Sequence, residues 1–293
     1  MIEEYIKKLN LFDVYVSRID CDNKNEVYLL KARDGKFVLK KFVRQIYGGK
    51  DPFQLELFAY EHFPRNGIPL PSLRFVDPVA RITVKQFVEG RHPSVPEDYK
   101  SVICYFKKLH DSAIPTESLF YRAPEDIIEG ADAVANARKV RMTREIRSAL
   151  ENCCAALHTE RLVFGFGDGN TNNLIIRKDN VAVGIDFDFL SRTTRYLDLA
   201  ILITHAGADS IVAEGILRSY FGTLNHYHKY QTDMSLLQYN LMMIGIYARE
   251  LNDPKAPHDK IKRLLPNHLK SCGLNLSEDK AVQQIARWVQ CAF

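Results

Sequence analysis

The chain has 293 residues, 46% hydrophobic and 26% charged, the composition of an ordinary globular protein with room for one large domain or two lobes. Its 40 basic and 36 acidic residues leave a net charge of only +4, too even to announce a nucleic-acid binder. Six cysteines (Cys21, Cys104, Cys153, Cys154, Cys272 and Cys291) form no CxxC pair and keep no metal-ligand spacing with the nine histidines, which argues against zinc and for reduced thiols.

Ile2, Tyr5, Ile6 and Leu9 recur at helical spacing and predict a short opening helix over 2–9. This start is amphipathic and charged rather than a signal peptide, and no apolar run approaches ~18 residues, so the expectation is a cytoplasmic protein that does not engage membranes. Residues 12–17, 26–31 and 36–43 are apolar, β-branched or aromatic runs, the last two joined by an Asp34-Gly35 turn, and predict an antiparallel sheet. The loop from Ser17 to Glu26 has no glycine. It reads as a hairpin tip, with Ser17, Asn23 and Asn25 as the alternative set of donors to an anion. In 36–43, alternation puts Val38, Lys40 and Phe42 on one face and Leu39 and Lys41 on the other, so one of the two lysines faces inward.

Residues 52–63 carry a helical stripe of Leu55, Phe58, Ala59 and His62, broken by Pro64-Arg-Asn-Gly67. Residues 81–88 predict another strand, ending at Glu89-Gly90. Helices follow over 99–110, 125–140 and 143–158, and helical periodicity returns from Leu199 to Val289 with breaks near Gly222, Asn252-Asp-Pro254 and Gly273. No internal repeat interrupts this order.

The most informative stretch is 164–188, which reads as loop, strand, turn, strand and acidic loop. Asp168 and Asn173 are separated by four residues, the spacing at which a catalytic loop carries a base for a substrate hydroxyl and an amide ligand for a metal. Asp186 lies thirteen residues after Asn173, beyond two short apolar runs joined by the polar turn 177–180. A hairpin there brings Asp186 back beside Asn173, and two oxygen ligands at one point suit a hard cation such as Mg²⁺ carrying phosphate.

At these residues the chain resembles the aminoglycoside phosphotransferase and choline kinase superfamily, whose pattern is HGDxxxxN, a hairpin, then IDF or IDW followed by an acid. The sequence keeps Gly167, Asp168, Asn173, Ile185, Asp186, Phe187 and Asp188, and departs at Phe166, where the family has His. The resemblance implies an α+β, protein-kinase-like bilobal fold: a nucleotide-binding lobe over 1–89, with an antiparallel sheet and one main helix, and a helical lobe over 90–293. It selects Lys40 as the lysine that pairs with the α/β-phosphates, and Glu56, sixteen residues on, as the helix glutamate that holds it. Backbone groups of Gln86 (carbonyl) and Val88 (amide) would read the adenine edge above Ile175 and Ile185. Tyr196-Leu-Asp-Leu-Ala200 matches the family's YDLA, with Asp198 a structural anchor, and His110 a packed residue at the end of its helix.

The implied reaction is ATP-dependent transfer of the γ-phosphoryl group to a hydroxyl of a small molecule. Asp168 would serve as the base, with Asn173 and Asp186 on Mg²⁺ and Asp188 beside the metal or substrate. Gly167 in place of the arginine of HRD, and only eleven residues between Asp186 and Asp198, argue against a protein kinase. Phe166 and the loop without glycine keep open a catalytically silent pseudokinase, a nucleotide-binding or scaffold module. Arg192 and Arg195, after the acidic loop, favour an anionic or zwitterionic acceptor, homoserine-like. Asp253, Asp259, Glu278 and Asp279, outnumbered by Lys255, Lys260, Lys262 and Arg263, make a polycationic aminoglycoside less favoured. The aromatic stretch His226-Tyr-His-Lys-Tyr230 offers ring faces to a choline-like cation.

Overall fold

The structure, a computed structural model, describes residues 2–19, 25–43, 51–116, 119–254 and 256–293. Cys21, Asn23 and Lys255 lie outside the described residues. Helix α1 (Ile2–Lys8) leads into β1 (Tyr15–Ile19), β2 (Glu26–Ala32) and β3 (Gly35–Lys41); α2 (Pro52–His62) follows, then β4 (Leu73–Asp77) and β5 (Ile82–Gln86). The five strands lie in the order β1-β2-β3-β5-β4, every neighbouring pair antiparallel. The first strand starts at Tyr15 rather than at 12, because Asn10 and Asp13 adopt left-handed backbone (φ 51° and 54°) and the chain is still turning there.

The sheet has two different faces. Leu30, Leu39, Ile82 and Val84 pack with Tyr5 of α1 in an apolar cluster on one side. Lys40 and its register partner Thr83 face the other side with Lys85, all three buried. Helix α2 covers that polar face. Asp51 caps it by accepting from the Phe53 amide at 3.0 Å, Pro52 occupies its first turn, and Arg81 forks onto Asp51 at 2.7 and 2.6 Å, tying the helix start to the sheet. The opposite stripe of α2, Leu55, Ala59 and Phe63, joins the larger core below, so one helix is packed into both halves of the molecule.

Beyond Gly90 come α3 (Pro96–His110), α4 (Asp126–Arg138) and α5 (Arg144–His158), then α6 (Arg195–His205), α7 (Ser210–Phe221), α8 (His226–Glu250), α9 (His258–Cys272) and α10 (Lys280–Ala292). Helix α8 is buried around most of its circumference and is the pillar on which α4, α6 and α9 pack. It crosses α4 closely at a pair of glycines: a Cβ on Gly130 would meet the Leu241 carbonyl carbon at 2.5 Å, and one on Gly245 the Gly130 carbonyl oxygen at 2.7 Å. Short strands β6 (Phe120–Tyr121), β7 (Leu162–Gly165) and β10 (Ser191–Thr194) form a three-stranded sheet with β10 in the middle, and β8 (Leu174–Ile176) pairs with β9 (Ala182–Gly184). Among the described residues no helix is long and apolar enough to cross a membrane. Cys104, Cys153, Cys154, Cys272 and Cys291 are free thiols. Cys154 and His158, four residues and one turn apart on α5, lie within reach of Glu125, which bonds His158 at 2.8 Å; this corrects the expectation that no cysteine stands at ligand spacing from a histidine, while Glu125 joins them from a distant part of the chain.

Candidate functional site

The polar face of the sheet meets the acidic loop at Lys40. Its Nζ lies 2.7 Å from Asp188 Oδ1, 2.8 Å from Asp186 Oδ1 and 3.3 Å from Glu56 Oε2. Burial opposes the charge on this ammonium, yet the carboxylates of Asp186, Glu56 and Asp188 outweigh it and hold the lysine firmly protonated. Lys41, on the other face, lies 3.5 Å from Glu26 at the surface. Glu56 is completely buried and has a second, closer cation: Lys85 Nζ donates to Glu56 Oε1 at 2.8 Å and to the Ile185 carbonyl at 2.8 Å. Lys85 was not anticipated, although the alternation of β5 places it on the same face as Thr83 and therefore as Lys40. Asn25 is buried, donates to Asp188 Oδ2 at 2.9 Å and accepts from the Val43 amide at 3.2 Å. Its side chain clasps the acidic loop rather than standing on a solvated tip, and Ser17 lies within β1 opposite Leu29.

Catalytic-loop geometry follows from one anchor. Asp198, fully buried in the first turn of α6, accepts from the Phe166 amide at 2.7 Å and the Gly167 amide at 2.8 Å, and meets His110 Nε2 at 3.0 Å. Gly167 sits at φ 69°, and a Cβ there would stand 1.9 Å from the Phe189 carbonyl oxygen. No larger residue fits without moving the acidic loop. The loop then presents Asp168, whose Oδ1 accepts from Asn170 Nδ2 and whose Oδ2 accepts from Asn173 Nδ2, both at 2.8 Å. Burial pushes the Asp168 carboxyl up to about 6. Asn173 Nδ2 also donates to the Asp168 backbone carbonyl at 3.0 Å, so the atom of this side chain that could hold a cation is Oδ1.

The β8–β9 hairpin forms as its apolar runs predict, in the register Leu174↔Gly184, and the Ile185 amide donates to the Asn173 carbonyl at 3.0 Å. Asp186 is thereby returned to the catalytic loop. Carboxylate oxygens of Glu56, Asp186 and Asp188 lie within 4.8 Å of one another, and this all-oxygen donor set fits a hard divalent cation. Burial works against the Asp186 charge, but Lys40 and Lys85 keep this carboxyl below its ordinary range, whereas burial and the charge of Asp186 push Asp188 up. Ile175, buried, packs beneath the crossing segment after β5, where a Cβ on Gly90 would touch its side chain at 2.5 Å. Ile185 is half-buried beside it in sequence with Asp186, and Gln86 and Val88 fall at the end of β5 and just beyond it.

A cavity of about 240 Å³ opens beside Asp188 between the acidic loop, α4 and α8. Its charged walls are Arg122 and Arg249 on one side of the ledger and Asp126, Glu129 and Asp188 on the other, with Leu55, Leu190, Met242 and Ile246 supplying apolar surface. Arg122 also reaches the Gly167 carbonyl at 3.5 Å, which links the cavity to the catalytic loop. Burial raises the Asp126 carboxyl to about 6. Arg192 and Arg195 do not line this space. Strand alternation turns Ser191 and Thr193 inward against β7 and leaves Arg192 exposed, while Arg195 opens α6 beside Tyr196 and Tyr220. The aromatic stretch at the start of α8 is also remote: His228 stacks on Phe221 at 4.1 Å, and it precedes Met242 by fourteen residues, about 20 Å along a helix. None of Asp253, Asp259, Glu278 and Asp279 lines the cavity.

A family model, that of the phosphotransferase enzyme family (APH), matches residues 16–231. The chain belongs to this phosphotransferase family. Its fold is shared with solved structures at low identity. A choline/ethanolamine kinase family protein from Mesorhizobium loti superposes with a TM-score of 0.68 at 17% identity over 99% of both chains. Choline kinase LicA from Streptococcus pneumoniae gives 0.65 at 16% identity, over 91% of this chain and 97% of that one. Spectinomycin phosphotransferase APH(9)-Ia, solved with ADP and spectinomycin, gives 0.65 at 11% identity over 98% of both. No curated protein matches the sequence. The α+β, protein-kinase-like architecture expected from the motif is therefore the architecture found, and the family is one of phosphotransferase enzymes.

Proposed function

We propose that this phosphotransferase moves the γ-phosphoryl group of ATP to a hydroxyl of a small zwitterionic acceptor held beside Asp188. The observation that carries the reading is the convergence of Lys40, Asp186 and Asp188 within 2.8 Å contacts, next to an Asp168 whose two oxygens are fixed by Asn170 and Asn173. Asp168 orients the acceptor hydroxyl and takes its proton, a role worth roughly 10²–10⁴ in rate. Lys40 leaves its carboxylates to pair with the nucleotide's α/β-phosphates as a point charge. Asp186 and Asn173, with Asp188 beside them, would hold Mg²⁺, which would supply positive charge against the phosphates. Gln86 and Val88 offer the adenine its backbone partners over Ile175 and Ile185. Residues 1–89 would form the nucleotide lobe and 90–293 the lobe carrying the acceptor, and the free cysteines suit a reducing cytoplasm.

The acceptor class follows from the cavity walls. Two arginines suit a carboxylate or phosphate, and Asp126 with Glu129 suits an amine, so the pair of signs favours a zwitterionic amino alcohol over a bare polycation. A screen of matched hydroxyl compounds, amine only, carboxylate only and both, decides the matter by kcat/KM. The zwitterion should lead by at least tenfold, and both Arg122→Lys and Asp126→Asn should shrink that lead. A wild type that prefers the carboxylate-free amine would refute it. ATP binding without turnover on any alcohol would point instead to the silent module.

A further inference from the structure

Two lysines and three carboxylates share one buried site: Lys40 and Lys85 against Glu56, Asp186 and Asp188. The distances are unequal in a telling way. Lys40 stands closer to the two aspartates, at 2.8 and 2.7 Å, than to Glu56 at 3.3 Å, whereas Lys85 stands 2.8 Å from Glu56 and reaches neither aspartate within 4.0 Å. Glu56 has no exposed surface and is further bonded by Thr83 Oγ1 at 3.2 Å. If Lys40 turns toward phosphate, Glu56 loses a cation in a place where an uncompensated buried charge is severely unfavourable. Lys85 is fixed where it can hold that charge, because its second bond, to the Ile185 carbonyl, ties it to the residue before Asp186.

We propose that Lys85 is a positioning residue for phosphotransfer: it holds Glu56, and with it α2, independently of Lys40, so that Lys40 is free to move from carboxylates to nucleotide phosphate. The inference rests on the phosphotransfer reading above. It gives β5 a role that neither the family motif nor the hairpin assigns, and it makes Glu56 a bridge between two lysines rather than the anchor of one. In a chain lacking the Lys85 charge, Lys40 becomes the only cation within reach of Glu56 among the described residues, and each nucleotide that draws Lys40 away takes that partner from Glu56.

The test is Mg·ATP affinity, measured by titrating a fluorescent ATP analogue and competing with ATP, in wild type, Lys85→Met, Lys85→Gln and Glu56→Gln/Lys85→Met. Lys85→Met keeps the length of the side chain and Lys85→Gln keeps a donor for Ile185, so the pair separates charge from packing and supplies a second variant should one fold poorly. Both should weaken Mg·ATP at least tenfold while the nucleotide-free melting temperature falls by only a few degrees. The double variant should recover most of the lost affinity, since a neutral amide at position 56 needs no cation; a merely structural role for Lys85 would show no such recovery. Affinity within threefold of wild type in both single variants, or a double variant no tighter than Lys85→Met, overturns the proposal. A wild type that binds no Mg·ATP overturns the kinase reading itself, and the role of Lys85 with it.

Discussion

Asp198→Asn changes one atom in a completely buried group, and its cost can be worked out from the bonds. Oδ1 accepts from the Gly167 amide at 2.8 Å, and Oδ2 accepts from the Phe166 amide at 2.7 Å and lies 3.0 Å from His110 Nε2. Wherever the new NH₂ points, it faces a backbone N–H. With the nitrogen at the δ2 position, His110 can turn its Nε2 into an acceptor, but the Phe166 amide is orphaned. With the nitrogen at δ1, the Gly167 amide is orphaned instead. One buried unsatisfied donor costs about 1–3 kcal/mol, and losing the charge on the surviving bond adds about 1 kcal/mol, so the expected destabilisation is about 2–4 kcal/mol. Relief comes only if the loop shifts, and that carries Asp168 with it; a displacement near 1 Å is worth roughly a hundredfold in kcat. Urea denaturation together with initial rates checks both halves. Less than 1 kcal/mol lost with kcat unchanged would show that Asp198 does not hold this loop.

Other consequences are as concrete. Asp168→Asn should leave Mg·ATP affinity within threefold and lower kcat by roughly 10²–10⁴, and in wild type kcat/KM should fall as pH drops through about 6, the value burial gives this carboxyl; an acid limb near 4 would place the base elsewhere. ATP should raise the melting temperature mainly when Mg²⁺ or Mn²⁺ is present, and Asp186→Ala should abolish that dependence, a retained dependence counting against Asp186 as ligand. His268 is buried and its Nδ1 donates to Asn240 Oδ1 at 2.8 Å, and burial pushes its pKa from 6.5 down to about 3. The unfolded chain therefore takes up a proton near pH 6.5 that the folded chain refuses, and stability is present above that pH and lost below it. By pH 4.5 the loss is about 2–3 kcal/mol, and denaturation of His268→Gln should show a correspondingly flatter acid slope.

The parts of the fold legible in the sequence were those with long periodicity or a dense local motif. Alternation in 36–43 left Lys40 or Lys41 as the inward lysine, the Asp34-Gly35 turn set the β2–β3 pairing, and the hairpin between Asn173 and Asp186 followed from two apolar runs and a polar turn. Strands β6, β7 and β10 escaped notice because two to four residues cannot show a period. The walls of the cavity beside Asp188 escaped for a different reason. Arg122, Asp126 and Glu129 lie more than 35 residues before Asp168, and Arg249 more than 80 after it; what assembles them is the glycine contact between α4 and α8, and a packing contact of that kind leaves no linear pattern. Arg192 and Arg195 lie nearest in sequence to the acidic loop but do not line the cavity beside Asp188, because Arg192 stands on the outward face of β10 and Arg195 opens α6.

Phe166 shows how the loop keeps its shape without the family's histidine. A polar side chain at this position would have to bond within the core, whereas Phe166 is wholly buried and makes edge-on contacts with Tyr105 and Phe187 at 5.9 Å each, as part of a ring cluster that includes Phe106. The polar work of the loop is done through the backbone: Asp198 takes the Phe166 and Gly167 amides, and His110, arriving from α3, bonds both Asp198 and the Tyr220 hydroxyl. A histidine side chain is thus supplied from outside the loop, while the side chain at 166 contributes only packing. The side chain at 166 is not among those that hold the polar site, because Asp168 is fixed by Asn170 and Asn173, and Asp186 by Lys40. Position 166 therefore carries little weight in choosing between an active kinase and a silent one; the charges around Lys40 carry far more.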